Sequence, residues 1–341
     1  MVLKAISIGY AIPRTDFDAT VHSAFKSAVN LCLTSGNKLL TLVASSDADL
    51  PQGIRVDTPN NFSFEIFQAG EQVTCRDDTL RLNSLTVELR GARRWKCDLP
   101  ALQADLTNPA AAVALKCAWR TLNKRQALLG AEIIAENLFS LNETIQTGVP
   151  PKAGEAMRNL FKSTRRYDLI STLSVRALIG LGSGLTPSGD DLLVGYLTGL
   201  WCAVRNKSER MKFVSNLGKA IIHHSQQTND ISRAYLYHAS HGQVSSRLAN
   251  LAMAICRGED SDRILTTIES AVRVGHTSGM DAVTGLLIGL AAWGIPADTN
   301  LTTFEFSKYF KKAVVNSRNG KHDPNRRNDD SGSAIHSYSC E

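Results

Sequence analysis

A helix start written twice constrains this chain more than any other feature. GLGSGLTPSGDDLLVGYLTGLW (180–201) and HTSGMDAVTGLLIGLAAW (276–293) superimpose at a shift of 90 residues. Over the thirteen columns from Ser188, seven are identical: Ser188/Ser278, Gly189/Gly279, Asp191/Asp281, Gly195/Gly285, Leu197/Leu287, Gly199/Gly289 and Leu200/Leu290. Both copies open apolar runs of helical length, which predicts two equivalent helix–turn elements related by a pseudo-twofold axis within one helical domain. Gly195 and Gly199, and Gly285 and Gly289, fall inside those helices. Each costs about 1 kcal/mol relative to alanine, so the four forfeit on the order of 4 kcal/mol, a large share of a domain's net stability. Spacing of four places each pair on one helix face. Something must approach that face closely, and the simplest candidate is the other copy, glycine face to glycine face.

Helix capping accounts for a further part of the motif. Ser188-Gly-Asp-Asp191 and Ser278-Gly-Met-Asp281 both fit the capping box, in which an N-cap serine and a later acid satisfy two backbone amides reciprocally. Capping leaves Gly180, Gly182, Gly184 and Thr186-Pro187 unexplained. A glycine-rich loop feeding a helix start aims several amide donors at one point, as phosphate and carboxylate sites do. Gly182, Gly184, Thr186, Ser188 and Gly189 are therefore candidate ligand-binding residues, with Thr277, Ser278 and Gly279 as their counterparts. No Gly-Lys-Ser/Thr follows and no βαβ unit surrounds the loop, so it is neither a Walker loop nor a dinucleotide fingerprint. Asp190, Asp191 and Asp281 would repel a bare phosphate. They point into caps, or hold a Mg²⁺ ion that bridges to phosphate, or accept hydrogen bonds from a ligand amide or ammonium.

Between the copies, Thr228 is an expected N-cap for a helix that carries Ser232 and Tyr235 on one face and ends at Gly242. Thr228 and Ser232 join the candidate ligand-binding set. His238 and His241 stand three apart on that helix, with no acid or cysteine to complete a familiar zinc signature. His276 directly precedes Thr-Ser-Gly at the second start, where it would act as donor or acid toward a ligand held between the two starts. Asp190, Asp191, Asp281 and His276 form the candidate catalytic group. No covalent nucleophile stands out.

The remainder of the chain sets the frame. At 341 residues it is long enough for about two domains. The first hundred residues read as β-rich, with strands expected at 38–45, 62–67, 72–76, 79–82 and 85–90. DFDATVHSAFKSAVNLCLTS (16–35) reads instead as one amphipathic helix. From about 101 the texture turns Ala/Leu-rich, with Pro109 at a helix first turn. The expected organisation is α+β: a β-rich module over 1–100, a helical connector over 101–154, a helical domain over 155–316 and a disordered tail over 317–341. Helices are expected at 155–178, 189–204, 208–225, 229–240, 243–257, 260–273 and 281–293. The net charge of +6 is spread out, which points away from nucleic acid and is compatible with a small anionic substrate. The apolar runs at 192–204 and 282–295 are too short and too interrupted to span a membrane. MVLKAISIGYAIPR lacks the pattern of a signal peptide. Seven cysteines without framework spacing suit reduced thiols in a cytoplasm.

These motifs together resemble one family. GLGSGLTPSGDDLLVG, the Thr228 to Ser232 element, GHTSGMDAVTGLLIGL and the Arg-Arg-Trp-x-Cys-x-Leu-Pro run (93–100) look like the bacterial AllH-like family. That family was long catalogued as a domain of unknown function, and AllH is a subunit of oxamate carbamoyltransferase in allantoin breakdown. The resemblance covers most of the chain and is most specific in Gly-Leu-Thr-Pro-Ser-Gly-Asp-Asp; the tail after about 316 is an addition to the pattern. It implies carbamoyl transfer between carbamoyl phosphate and oxamate or oxalurate, together with other enzyme subunits. The alternative is a non-catalytic assembly or ligand-sensing subunit whose doubled motif is a packing device.

Overall fold

The computed structural model describes residues 1–36, 38–129, 135, 151–168, 172–275 and 277–294. It is an α+β protein with a β-barrel leading into a helical domain. The barrel strands are β1 (Val2–Gly9), β2 (Phe17–Ala24), β3 (Ala28–Leu33), β4 (Leu39–Val43), β5 (Gly53–Val56), β6 (Gln72–Arg76), β7 (Thr79–Leu82) and β8 (Leu85–Glu88). They pair in the order β5-β4-β3-β2-β6-β7-β8-β1, and β1 pairs back onto β5, so the sheet closes; β9 (Arg93–Trp95) adds in parallel to β1. Closure removes the exposed edges of an open sheet. Asp77 and Asp78, both at positive φ (50° and 57°), make the tight turn between β6 and β7.

Two expectations fail in this module. Residues 16–35 form the β2–β3 hairpin, not a helix: Phe17, Ala19 and Val21 point into the barrel and Asp18 and His22 outward. The same apolar residues also satisfy helical spacing, and pairing of β2 with β6 and of β3 with β4 decides between the two. Residues 62–67 are not a strand. They hold a short 3₁₀ turn, Phe64–Ile66, in which Ser63 accepts from the Glu65 amide and Phe64 is fully buried in the barrel core.

The described helices are α1 (Pro109–Leu129), α2 (Pro151–Arg166), α3 (Thr172–Leu178), α4 (Ser188–Cys202), α5 (Ser208–His224), α6 (Asp230–Ser240), α7 (Ser246–Arg257), α8 (Ser261–Val272) and α9 (Ser278–Gly294). Pro109 opens α1 as expected, with Asn108 Oδ1 accepting from the Ala110 amide at 2.9 Å. The single helix expected over 155–178 is two, and Tyr167, at φ +55°, ends the first. The tail expected over 317–341, and most of the end of the connector, lie outside the described residues. None of the described helices is long and apolar enough to cross a membrane.

At the centre, α4 and α9 cross with glycine against glycine, as the four in-helix glycines require. A Cβ on Gly195 would overlap Ala282 O, and one on Gly285 would overlap Leu192 O. Gly199 faces Leu286 and Leu290, and Gly289 faces Tyr196 and Gly199. The Gly195–Ala282 and Gly285–Leu192 contacts exchange under the 90-residue shift, as do Gly199–Leu286 and Gly289–Tyr196, which is the pseudo-twofold. Beyond the crossing, buried Arg210 of α5 donates to Ala203 O at 2.6 Å and to Trp293 O at 3.1 Å. One guanidinium thus satisfies terminal carbonyls of both helices, where the helix dipoles favour positive charge.

The barrel is pinned to this domain. Asp49 is buried, accepts from Ser7 and pairs with Arg55 (2.8 Å) and Arg93 (2.6 Å). Its backbone exchanges hydrogen bonds with Ser246, Asp49 N to Ser246 Oγ at 3.0 Å and Ser246 N to Asp49 O at 2.9 Å.

Candidate functional site

The glycine crossing holds the starts of α4 and α9 side by side. The capping boxes expected there do not form. Pro187 occupies the N-cap of α4 (φ −53°, ψ 140°) without a side-chain bond, so Ser188 is the first helical residue. The amides of Asp190 (2.9 Å) and Asp191 (3.2 Å) go to Pro187 O, and the Asp281 amide goes to Thr277 O at 3.0 Å. Ser278, likewise the first helical residue of α9, turns its hydroxyl to Thr186, 2.5 Å away on the other copy's loop.

The amide cradle expected from the glycine loop is also spent inside the chain. Gly180, Gly182 and Gly184 have φ of 72°, 104° and 101°, a region that favours glycine. They turn the chain so that Gly189 N donates to Leu181 O at 2.9 Å, as Gly279 N does to Val274 O at 2.9 Å in the second copy. Gly189 and Gly279 leave no room for a side chain, because a Cβ would overlap Leu178 O and Ala271 O. Gly182 lies against Ser188, whereas Gly184 stands in open space with Leu185 exposed beside it.

Asp190 is the centre of a three-way clasp. Its carboxylate is buried and accepts from Gly180 N at 2.9 Å and Thr228 Oγ1 at 2.5 Å, with the Ser232 hydroxyl facing the same group. Thr228 is free for this because Asn229, not Thr228, caps α6, accepting from Ser232 N at 3.0 Å. Burial raises the Asp190 pKa against the pull of these donors.

Asp191 is held further still from its ordinary range. Burial pushes its pKa well up, the Ser278 and Thr186 hydroxyls oppose the shift, and the Asp281 and Asp190 charges add to it. Asp281 is fully buried. Asp191 Oδ2 and Ser232 Oγ are both buried, without a hydrogen bond inside 3.5 Å among the described residues. Three carboxyl groups from two helix starts are thus gathered in one dry place, where like charges disfavour ionisation. His276, expected beside them, lies outside the described residues.

Family comparison covers both halves of this architecture. The model for the AllH family N-terminal domain matches residues 4–94, the barrel, and the model for oxamate carbamoyltransferase subunit AllH matches 178–290, from the end of α3 into α9. The chain belongs to the AllH family. No solved structure matches it significantly.

In this chain the second match holds both helix starts and the α6 clasp between them. Among the described residues no three His, Cys, Asp or Glu side chains are placed to share a metal ion. Asp190 spends its carboxylate on two chain donors within 2.9 Å, Gly180 N and Thr228 Oγ1. His238 is buried, bonded to Tyr10 Oη at 3.3 Å and lowered to about 4, chiefly by burial; His241 donates from Nδ1 to Tyr237 O at 2.7 Å. The two histidines therefore serve the barrel–α6 seam and their own helix end. Sequence reasoning missed Gly180 as the Asp190 donor, Asn229 as the α6 cap and the Asp49 pin. A signal existed only for Asn229, an equally good N-cap one residue along.

Proposed function

We propose that this chain is a subunit of a carbamoyltransferase and that the paired helix starts hold its small-molecule substrate. One observation carries the reading: Asp191 Oδ2 and Ser232 Oγ are buried acceptors with no hydrogen-bond partner among the described residues. Native proteins rarely leave such atoms unpaired, at a cost of about 1–3 kcal/mol each. A ligand that brings N–H or O–H donors repays that cost. Perturbed carboxyls gathered at one place support a functional site in the same way.

The family description supplies the reaction class, oxamate carbamoyltransferase. In such a transfer the acceptor nitrogen bonds the carbamoyl carbon and gives up a proton, while the bond from that carbon to the phosphate oxygen breaks and inorganic phosphate leaves with its electron pair. Carbamoyl phosphate as donor and oxamate or oxalurate on the acceptor side fit a site rich in carboxyl and hydroxyl groups at their amide ends. The word subunit supports additional chains in the active assembly, and the absence of disulfides among the described cysteines suits a cytoplasmic setting.

The test is co-purification with the products of neighbouring genes, followed by a carbamoyl-transfer assay on the complex. Asp191→Ala should assemble normally and lose at least 100-fold in turnover; undiminished turnover refutes the assignment. The alternative, an assembly or ligand-sensing subunit, is favoured by exposed Leu185 and Val274 beside the site. It predicts full turnover in Asp191→Ala and loss of the complex on Leu185→Asp.

A further inference from the structure

We infer that Asp191, Ser232 and Tyr235 form a subsite that reads the N–H face of a primary carbamoyl group and rejects a carboxylate in the same place. The inference rests on the reading that the paired helix starts bind substrate, and it names which end of the ligand they hold.

The orphaned acceptors set the polarity. Ser232 is 1% exposed, and its Oγ, like Asp191 Oδ2, is buried with no hydrogen bond from the described residues. Their positions follow from the clasp. Because Thr228 and Gly180 both donate to Asp190, the start of α6 is fixed against the start of α4. Ser232, in the first turn of α6, then turns its hydroxyl toward Asp190 at the start of α4, the residue next to Asp191. Tyr235 follows it by three residues and shares its helix face. The Tyr235 ring packs against the helical core, and burial and the Asp191 charge push its hydroxyl up to about 12. It is therefore a neutral phenol at any physiological pH, able to donate.

The surrounding chemistry excludes an anion from this position. Donors that would cradle one, the amides of Gly189, Asp190, Asp191, Gly279 and Asp281, are committed to chain carbonyls. Asp190, Asp191 and Asp281 already crowd one another, and a further negative charge meets repulsion. A neutral –C(=O)NH₂ group meets none. Its two N–H bonds point to Asp191 Oδ2 and Ser232 Oγ, and its carbonyl oxygen accepts from Tyr235. A site built to pair a ligand N–H rejects an analogue that lacks it by up to about 10⁴-fold. The shared chemistry is a carbamoyl group, carried by oxamate and by carbamoyl phosphate alike.

The experiment is isothermal titration of the full chain, together with its partner subunits where they co-purify. The probes are oxamate, oxalate, carbamoyl phosphate and inorganic phosphate. Oxamate and carbamoyl phosphate should each bind at least 100-fold more tightly than oxalate and phosphate, their counterparts without the amide. Tyr235→Phe, which keeps the ring and the packing, should weaken oxamate about tenfold and leave oxalate unchanged. Asp191→Asn should compress the oxamate over oxalate preference below tenfold. Oxalate binding as tightly as oxamate, or a preference untouched by both variants, overturns the subsite while leaving a ligand site at the helix starts standing. Binding of none of the four probes, partners present, overturns that site as well.

Discussion

Replacing Gly195 by alanine is the sharpest test of the central crossing. The new Cβ would lie 2.7 Å from the Ala282 carbonyl carbon and 2.8 Å from Leu286 N, both backbone atoms of α9. Ordinary carbon contacts sit at about 3.5–4.0 Å, so α9 must retreat by roughly 1 Å. A gap of that size forfeits a quarter to a half of each contact, worth about 0.1–0.2 kcal/mol per atom pair. Across on the order of 60 pairs in the seam the loss is about 3–4 kcal/mol, less the roughly 1 kcal/mol that alanine contributes as a better helix former. The net effect is a destabilisation of about 2–3 kcal/mol, or a fall in Tm of roughly 5–10 °C. Gly154→Ala in α2 is the matched control. There a Cβ meets only the end of the Arg158 side chain, with Nη1 at 3.1 Å, so the same substitution should stabilise by up to about 1 kcal/mol. Thermal and urea unfolding, followed by far-UV circular dichroism, reads both. A Gly195→Ala protein as stable as the parent, beside a Gly154→Ala protein that gains, refutes the glycine-to-glycine crossing.

Other consequences can be measured on the same preparations. Because each glycine contact is mirrored, Gly285→Ala should cost a similar amount, and the double variant with Gly195→Ala less than the sum, since the helices have already parted. The carboxyl of Asp191 titrates above the ordinary 3.8 because it is buried; its contribution to stability is therefore complete below that value and lost as pH rises through the raised one. Asp191→Asn should accordingly have the higher Tm at pH 7, with the gap closing as the pH falls toward 4. His238 shifts the opposite way, from 6.5 to about 4. Its stability is full above pH 6.5 and falls by on the order of 3 kcal/mol as pH drops to about 4, an arm of the profile that His238→Phe should remove. Arg210→Met leaves the Ala203 and Trp293 carbonyls without their charged donor. It should cost about 3 kcal/mol in urea unfolding and speed amide exchange at the ends of α4 and α9.

What the sequence determined by itself was whatever could be settled by local accounting. Four glycines inside two apolar helices are a local penalty, so a close approach had to offset them, and the 90-residue echo named the partner. The AllH resemblance came from the same residues, and the alternation at 72–76 and 79–82 was enough to find β6 and β7. Tertiary structure alone decided the rest. Phe17, Val21, Ala28 and Leu31 fit a helix as well as a hairpin, and only barrel closure through β4 and β6 selected strands. Ser188 and Asp191 fit a capping box within one helix, yet Pro187 took the cap and the crossing brought Thr186 and Ser278 to Asp191. Those hydroxyls and the Asp281 charge reach Asp191 from another loop and another helix. A partner so distant in the chain has no local signature, because burial and field at a carboxyl are set by what packs around it.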